Sequence, residues 1–523
     1  MRDHQNYDEG QAGDSKKEQG LMSVNDLQYV LEPDLSVAVN KTHKKHFFQS
    51  QSYRPGQSCV CVINSGADYI DTRRSYLTFV VRFNTAFYPG TGIHQQNIKC
   101  HFGTHGSILN MIDTLSIVSS HGDVIMQTKD VALLANMCIP MKHDNEWRNT
   151  IGGMMGMDQM MLQGEQYKFC IPLHCLSSFF QYGRLIPSVI ASGLKISITL
   201  KQPKDVFTVV NLGSVTDPSL QPGGGTNGPH HHHATNDTAF LEKHQLSVRD
   251  YVIDEVYFNL SSIQLSDSIQ RAIAVISSHN GLELVYTDYE YHAHNIKDDK
   301  EYINIGKSCS RALQAIARVR VTNDDMVGPG TPYGLDGETG FPVISYQWRL
   351  GSLYFPQQPV RGHTTDQCAV EAYAHCLEAF EKFHTNAKQP MNAFRHKHKA
   401  MEHLLDSAHF GHLYSSKGHI PPLPYNANQE NHELGTWKND SHVIAVNLER
   451  SSLFNLAGVP LNNSRSLALD IELSPNTSQP SKTLDGETNA TKQDSLNISR
   501  NVVVYLKYVK LARCFLNNIE IEQ

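Results

Sequence analysis

No apolar run in this 523-residue sequence approaches the ~20 residues that a membrane-crossing helix requires, so nothing in it reads as a transmembrane segment. Tryptophan is scarce: Trp147, Trp348 and Trp437 are the whole complement and form no cluster that would suggest an aromatic sugar platform. A surplus of positive charge is also missing. The formal net charge is −7, which argues against non-specific wrapping of nucleic acid, because that requires a dense basic surface. Ten cysteines are scattered with no paired C-x-x-C, and only Cys59 and Cys61 stand close together. Buried, reduced thiols in a protein made in the cytosol fit this pattern better than a secreted disulfide framework. The stretch PGGGTNGP has no following Lys-Ser/Thr and sits in a linker, so it is no phosphate-cradling loop. Neither a G-x-S-x-G elbow nor a catalytic cysteine motif occurs. Paired carboxylates for glycoside cleavage leave no spacing signature, so a carbohydrate-binding or glycan-cleaving β-sandwich stays open as the rival class. No residue is singled out as catalytic, cofactor-binding or metal-binding.

What the sequence does contain is a repeat. SSFFQYGRLIPSVIASGLKISITL, Ser177 to Leu200, is echoed by SSLFNLAGVPLNNSRSLALDIEL, Ser451 to Leu473. Pro187 and Pro460, Leu194 and Leu467, and Leu200 and Leu473 each lie 273 residues apart. In the first copy Leu194, Ile196, Ile198 and Leu200 alternate with Lys195, Ser197 and Thr199. In the second, Leu467, Leu469, Ile471 and Leu473 alternate with Ala468, Asp470 and Glu472. Period-two alternation turns one set of side chains into a core and the other to the opposite sheet face.

Other pieces recur in the same order. RSYLTFVVRFN places Leu77, Phe79, Val81 and Phe83 on one strand face, and ALQAIARVRVT sets Ala317, Val319 and Val321 against Arg318 and Arg320. IDTLSIVSSHGDVI and SYQWRLGSLYFPQQPV each read as strand-turn-strand. A helix follows in both halves: a short one in TKDVALLANM, and a longer one in TTDQCAVEAYAHCLEAFEKF. Thr364 or Thr365 suits the cap of the longer helix, and Ala369, Ala372, Tyr373, Cys376, Leu377 and Phe380 fall at helical spacing. The closing strands are YVIDEVYFNLSSIQL and NVVVYLKYVKLARCFL. The chain is therefore a tandem duplication of one β-rich domain, with a length that suits two cores.

The expected division is an N-terminal arm over 1–45, a first domain over 46–270 with an insertion near 203–247, and a second over 271–523. The second domain carries insertions near 322–343, 386–440 and 474–498. MRDHQNYDEGQAGDSKKEQG is charged and polar, and reads as a flexible arm, neither signal peptide nor anchor. The insertions are turn-rich and aperiodic, and in a β-sandwich they emerge from strand ends as protrusions. Many of the 28 histidines lie in or near them: His230 to His233 form a tract, and His396 and His398 form an H-x-H. None brings together the three or four converging ligands of a metal site. His292 and His294, on a polar strand end, have Glu301 too far along the chain for a cupin-like motif.

Two similar sandwiches in one chain have a geometric consequence. Three such chains around an axis place six similar lobes about it, and near-hexagonal units tile a surface. The ordered set SYRPGQSCVCVINSGADYIDTRRSYLTFVVRFN, IDTLSIVSSHGDVI, KFCIPLHCLSSFFQYGRLIPSVIASGLKISITL and SYQWRLGSLYFPQQPV resembles the double jelly-roll major capsid proteins of icosahedral double-stranded DNA viruses. Among these it is most similar to the capsid proteins of virophages and Polinton-like viruses, from about His46 onward. The resemblance implies an all-β chain of two tandem eight-stranded jelly rolls with short helices and long tower-like loops. It further implies a non-enzymatic subunit of the virion that assembles in the host cell as a pseudo-hexameric homotrimeric capsomer. Neighbouring capsomers, penton and minor capsid proteins are the implied partners, with a host receptor reached through the outer loops. The N-terminal arm would lie on the inner side or between capsomers, and no cofactor is implied.

Overall fold

Segments with strict alternation form the strands, and the two halves form the same set in the same order. The computed structural model describes residues 38–86, 98–102, 106–157, 159–211, 247–279, 281–321, 343–361, 369–381, 397–398, 437–438, 443–449, 458–462, 465–473, 500–515 and 519–523. The principal strands of the first half are β1 (Ala38–Phe47), β2 (Ser58–Ile63), β3 (Tyr69–Ala86), β4 (Ile112–Val118), β5 (Val124–Lys129), β6 (Tyr167–Pro172), β7 (Leu194–Leu200) and β8 (Ser247–Leu265). Those of the second are β9 (Leu282–Ile296), β10 (Lys300–Ile305), β11 (Cys309–Val321), β12 (Val343–Leu350), β13 (Leu353–Arg361), β14 (Ile444–Asn447), β15 (Leu467–Leu473) and β16 (Arg500–Cys514). Three longer helices accompany them: α1 (Val131–Lys142), α2 (Asp267–His279) and α3 (Ala369–Ala379).

Pairing makes the duplication explicit, because every strand has its counterpart eight numbers later. In the first half β1, β8, β3 and β6 form one antiparallel sheet, and β2, β7, β4 and β5 form the other. In the second half the orders are β9-β16-β11-β14 and β10-β15-β12-β13. Two facing four-stranded sheets joined in this order are a jelly roll, so the chain is all-β and contains two of them in tandem.

The echoed strands β7 and β15 take the same central place. Ile196 lies between Cys61 and Ile117, and Leu469 between Ile303 and Trp348. Each half has its own core. Leu77, Phe79, Val81 and Phe83 of β3 meet Ile196, Ile198, Leu115 and Ile117 of the facing sheet, whereas Ala315, Ala317 and Val319 of β11 meet Leu469, Ile471 and Trp348. The Pro anchors also serve similar ends. Leu185–Ile186, just before Pro187, pairs with the start of β3, and Val459–Leu461, around Pro460, pairs with the start of β11. Gly193 precedes β7 with φ +88°, and a Cβ there would sit 2.7 Å from that of Ser120, so both backbone and space call for glycine.

Several expectations need correction. β1 begins at Ala38, so the segment expected to be an arm to residue 45 ends in an edge strand whose ladder to β8 fixes it. Helix α2, which the sequence reading missed, crosses the expected boundary at residue 270. The helix expected to be short, α1, has 12 residues, and α3 has 11 in its described span; Thr364 and Thr365 lie outside the described residues. Arg318 and Ala468, expected on polar faces, are buried. Most of each expected insertion, the tract His230 to His233, His396 and the Ser451–Ser452 anchor also lie outside the described residues.

The nine described cysteines are free and at least partly buried. Burial pushes the thiols of Cys59, Cys61, Cys175 and Cys514 up to about 12, which starves them of reactive thiolate. Native protein at pH 8 should therefore consume no more than one equivalent of a thiol reagent, Cys368 being outside the described residues. Denatured protein should consume ten. Rapid native labelling of several cysteines would contradict this packing.

Candidate functional site: the junction between the rolls and its open counterpart

Strand β16 is apolar on both faces: Val502, Val503, Val504, Tyr505 and Leu506 are all buried. One face lines the second core, and the other lies under the first roll. The covering elements are the end of β5, helix α1 and the turn from Ser177 to Arg184. Helix α1 donates Ala132, Leu133, Leu134, Met137, Cys138 and Met141 to the cluster that contains the second roll's core. Its mean character is apolar nearly all round, as a helix wedged between two bodies must be.

Polar groups fix the register of this junction. Asp130 caps α1, its side chain accepting from the Leu133 N–H, and its own backbone is left-handed with φ 47°. The Asp130 carboxylate receives Lys201 Nζ at 2.5 Å from its own roll and Arg320 Nη1 at 2.8 Å from the other. Burial alone would push this carboxyl up; Lys201 and Arg320 outweigh that and hold it below the usual carboxylate range. The Tyr505 hydroxyl donates to the Asp130 carbonyl at 2.8 Å. Nearby, the Tyr286 hydroxyl (2.7 Å) and Lys510 Nζ (3.2 Å) both donate to the Ile125 carbonyl on the edge strand β5. Lys510 also pairs with buried Asp288 at 2.7 Å. Arg184 donates to the Val285 carbonyl, Ser178 to the Thr287 carbonyl, and Phe179 meets Tyr286 edge-on at 5.4 Å.

The same constellation recurs in the first roll in a more exposed setting. On β16, Tyr505 pairs with Ile316 of β11 and lies beside Tyr291 of β9, their rings 5.5 Å apart. On β8, Tyr257 pairs with Thr78 of β3 and lies beside Phe47 of β1, their rings 5.7 Å apart. Arg320 stands four residues beyond Ile316, and Arg82 four beyond Thr78. Phe47, Tyr257 and Arg82 thus match Tyr291, Tyr505 and Arg320. The difference is burial: Tyr505 is buried where its match Tyr257 is half-buried, and Tyr291 is half-buried where its match Phe47 is 66% exposed. Arg82 has only a 3.8 Å contact with Asp254, in place of the 2.8 Å pair that Arg320 makes.

The second roll has an open end of the opposite kind. Edge strand β13 exposes Leu353, Tyr354 and Phe355 in succession, although its counterpart β5 is covered by Tyr286 and Lys510. Among the described residues β13 pairs with β12 alone, and a strand edge with apolar side chains is a surface that proteins normally cover. Of the histidines noted in the sequence, His292 and His294 lie on β9, and His294 reaches Glu301 at 3.5 Å.

The junction residues Asp130, Lys201, Arg320, Tyr505, Arg184 and Tyr286 escaped sequence reading. One signal points to them: the unbroken apolar run VVVYL in the second closing strand, where the first roll's YVIDEVYFNL mixes polar residues in. A strand apolar on both faces has two neighbours to bury against.

Among solved structures, the chain is similar over 95% of its length to a chain of the quasi-atomic model of the PBCV-1 virus capsid, covering 99% of that chain with a TM-score of 0.53 at 10% identity. It is similar over 93% of its length to a chain of the cryo-EM structure of the Sputnik virophage, covering 89% of that chain with a TM-score of 0.53 at 7% identity. At these identities the likeness shows the fold, which is that of the double jelly-roll major capsid proteins. No family model and no curated protein matches the chain in sequence.

Proposed function

We propose that this chain, built on the double jelly-roll fold of viral major capsid proteins, is itself a major capsid protein whose activity is assembly. The observation that carries the reading is the pair of topologically identical rolls joined by a buried junction that each roll could repeat once more. Three chains then place six similar lobes around a threefold axis, and the resulting pseudo-hexameric homotrimer tiles an icosahedral shell around a double-stranded DNA genome. Neighbouring capsomers, penton and minor capsid proteins are its partners in the virion, and the outer loops are the surface offered to a host receptor. No catalytic step is assigned to it.

The energetics of such a subunit divide in two. Contacts within the trimer are expected to exceed roughly 2,000 Å² per interface with an apolar centre. Contacts between trimers should be smaller and more polar, so that misplaced units dissociate and correct themselves. Sedimentation or native mass measurement of the purified chain should give a trimer, and negative-stain images should show six-lobed particles. A stable monomer at micromolar concentration would sink this reading.

A further inference from the structure

Residues 21–37, LMSVNDLQYVLEPDLSV, run directly into β1 and lie outside the described residues. We propose that this segment folds back over its own roll and covers the outer face of the first sheet around Phe47, Tyr257 and Arg82. The proposal goes beyond the capsid reading and stands independently of it.

The receiving face calls for a partner that is both apolar and acidic. Lys45 and Phe47 point to the same side of β1, and the Phe47 ring lies 5.7 Å from that of Tyr257. Lys45 Nζ and Lys168 Nζ stand 4.7 and 5.8 Å from the centre of the Tyr257 ring, within cation–π range. Lys41 and Lys44, by contrast, have Asp71 and Asp68 at 3.2 and 2.6 Å. Among the described residues neither Lys45 nor Lys168 forms an ion pair, and Arg82 has only its 3.8 Å contact with Asp254. In the second roll the matching Arg320 has the Asp130 carboxylate at 2.8 Å, so the duplicated site sets the precedent for a carboxylate at Arg82.

The segment has that chemistry. Nine of its seventeen residues are apolar, Leu27, Tyr29, Val30 and Leu31 among them, and it carries Asp26, Glu32 and Asp34 with no Lys or Arg. An apolar, anionic strip on an aromatic, cationic sheet is complementary in both respects. The tether also reaches. From Ala38 to Phe47 the strand rises about 30 Å, whereas seventeen residues extend to about 55 Å, enough to turn at the start of β1 and run back past Phe47. Tethering gives the segment an effective concentration of about a millimolar, so contacts too weak to join separate molecules suffice. Nucleic acid is the other ligand that suits a basic, aromatic face, but the chain's net charge of −7 disfavours it.

Carbodiimide cross-linking and hydrogen exchange on the full chain test this. Carbodiimide should join Asp26, Glu32 or Asp34 to Lys45 or Lys168. Amides of residues 21–37 should exchange at least about tenfold more slowly than in the free peptide of the same sequence. Phe47→Asp should abolish that protection and keep the parent's circular dichroism, since the side chain is exposed. Lys45→Glu with Lys168→Glu should also abolish it. Adding Asp26→Lys, Glu32→Lys and Asp34→Lys to that pair should restore it, which a misfolded chain would not do. To separate own-chain from neighbour contacts, a chain lacking residues 1–37 is co-expressed with a full chain carrying Lys45→Ala and Lys168→Ala. In that pair the same cross-links can form only between copies, and none is expected. Their appearance, amides that exchange as fast as the free peptide, or protection that arises only on adding single-stranded DNA would each overturn the proposal. A trimeric parent with a freely exchanging segment would sink this inference and leave the capsid reading; a monomeric parent with the expected cross-links would do the reverse.

Discussion

Replacing Asp130 with alanine is expected to cost roughly 3–5 kcal/mol of stability, because it strands two buried cations without their carboxylate. Lys201 and Arg320 converge on it from the two rolls, and all three side chains are largely shielded from water. The same change removes the cap of α1 and replaces a residue that tolerates the left-handed backbone at φ 47°. Asp130→Asn keeps cap and backbone but loses the charge, so its smaller loss measures the ionic part. The pH dependence comes from the sign of the shift. The folded carboxyl titrates below its unfolded value, so its contribution is complete above about pH 4 and disappears as pH falls through the folded value. Stability of the parent should decline through that acid window, and the Asp130→Asn variant should decline less. Denaturant titrations from about pH 7 down to about pH 2.5 would measure both. A loss under about 1 kcal/mol for Asp130→Ala would mean that the junction is held by apolar packing alone.

The second large effect is expected in the other core. Trp348 on β12 is 1% exposed and packs between the two sheets of the second roll. Trp348→Ala should cost about 3–5 kcal/mol, the transfer term plus an unfilled cavity. Its indole N–H finds no partner among the described residues, so burying it already carries a penalty. Trp348→Phe removes that orphan donor while filling most of the space, and should cost less than about 1.5 kcal/mol. Thermal unfolding followed by tyrosine absorbance or circular dichroism would separate the two variants. Equal losses for Ala and Phe would show that the indole itself, and not the volume it fills, is what the core requires.

Much of this architecture was legible residue by residue. The strands β3, β4, β5, β7, β8, β12, β13, β15 and β16 lie where alternation and turns put them, and the 273-residue echo pointed to two copies of one domain. Those features depend on a strand's own side chains, since period-two burial is set by neighbours on a single sheet. The errors came where a second partner intervened. Arg318 belongs to a polar row by alternation, yet it is buried in the row from which Arg320 reaches Asp130 of the first roll. The basic segment ending in β1 has the composition of a solvated arm, and becomes a strand because β8 offers it a free edge.

By itself the sequence determined that the chain is all-β and that it holds two copies of one strand pattern. The tertiary structure alone decided which copy covers which. Asp130 and Arg320 meet from 190 residues apart, and neither residue's neighbours in sequence announce the other. Local alternation reports that a face is apolar or polar, but the identity of what buries it depends on how two completed rolls dock. That docking seals Tyr505 but leaves its match Tyr257 half-buried, although the two rolls present nearly the same side chains.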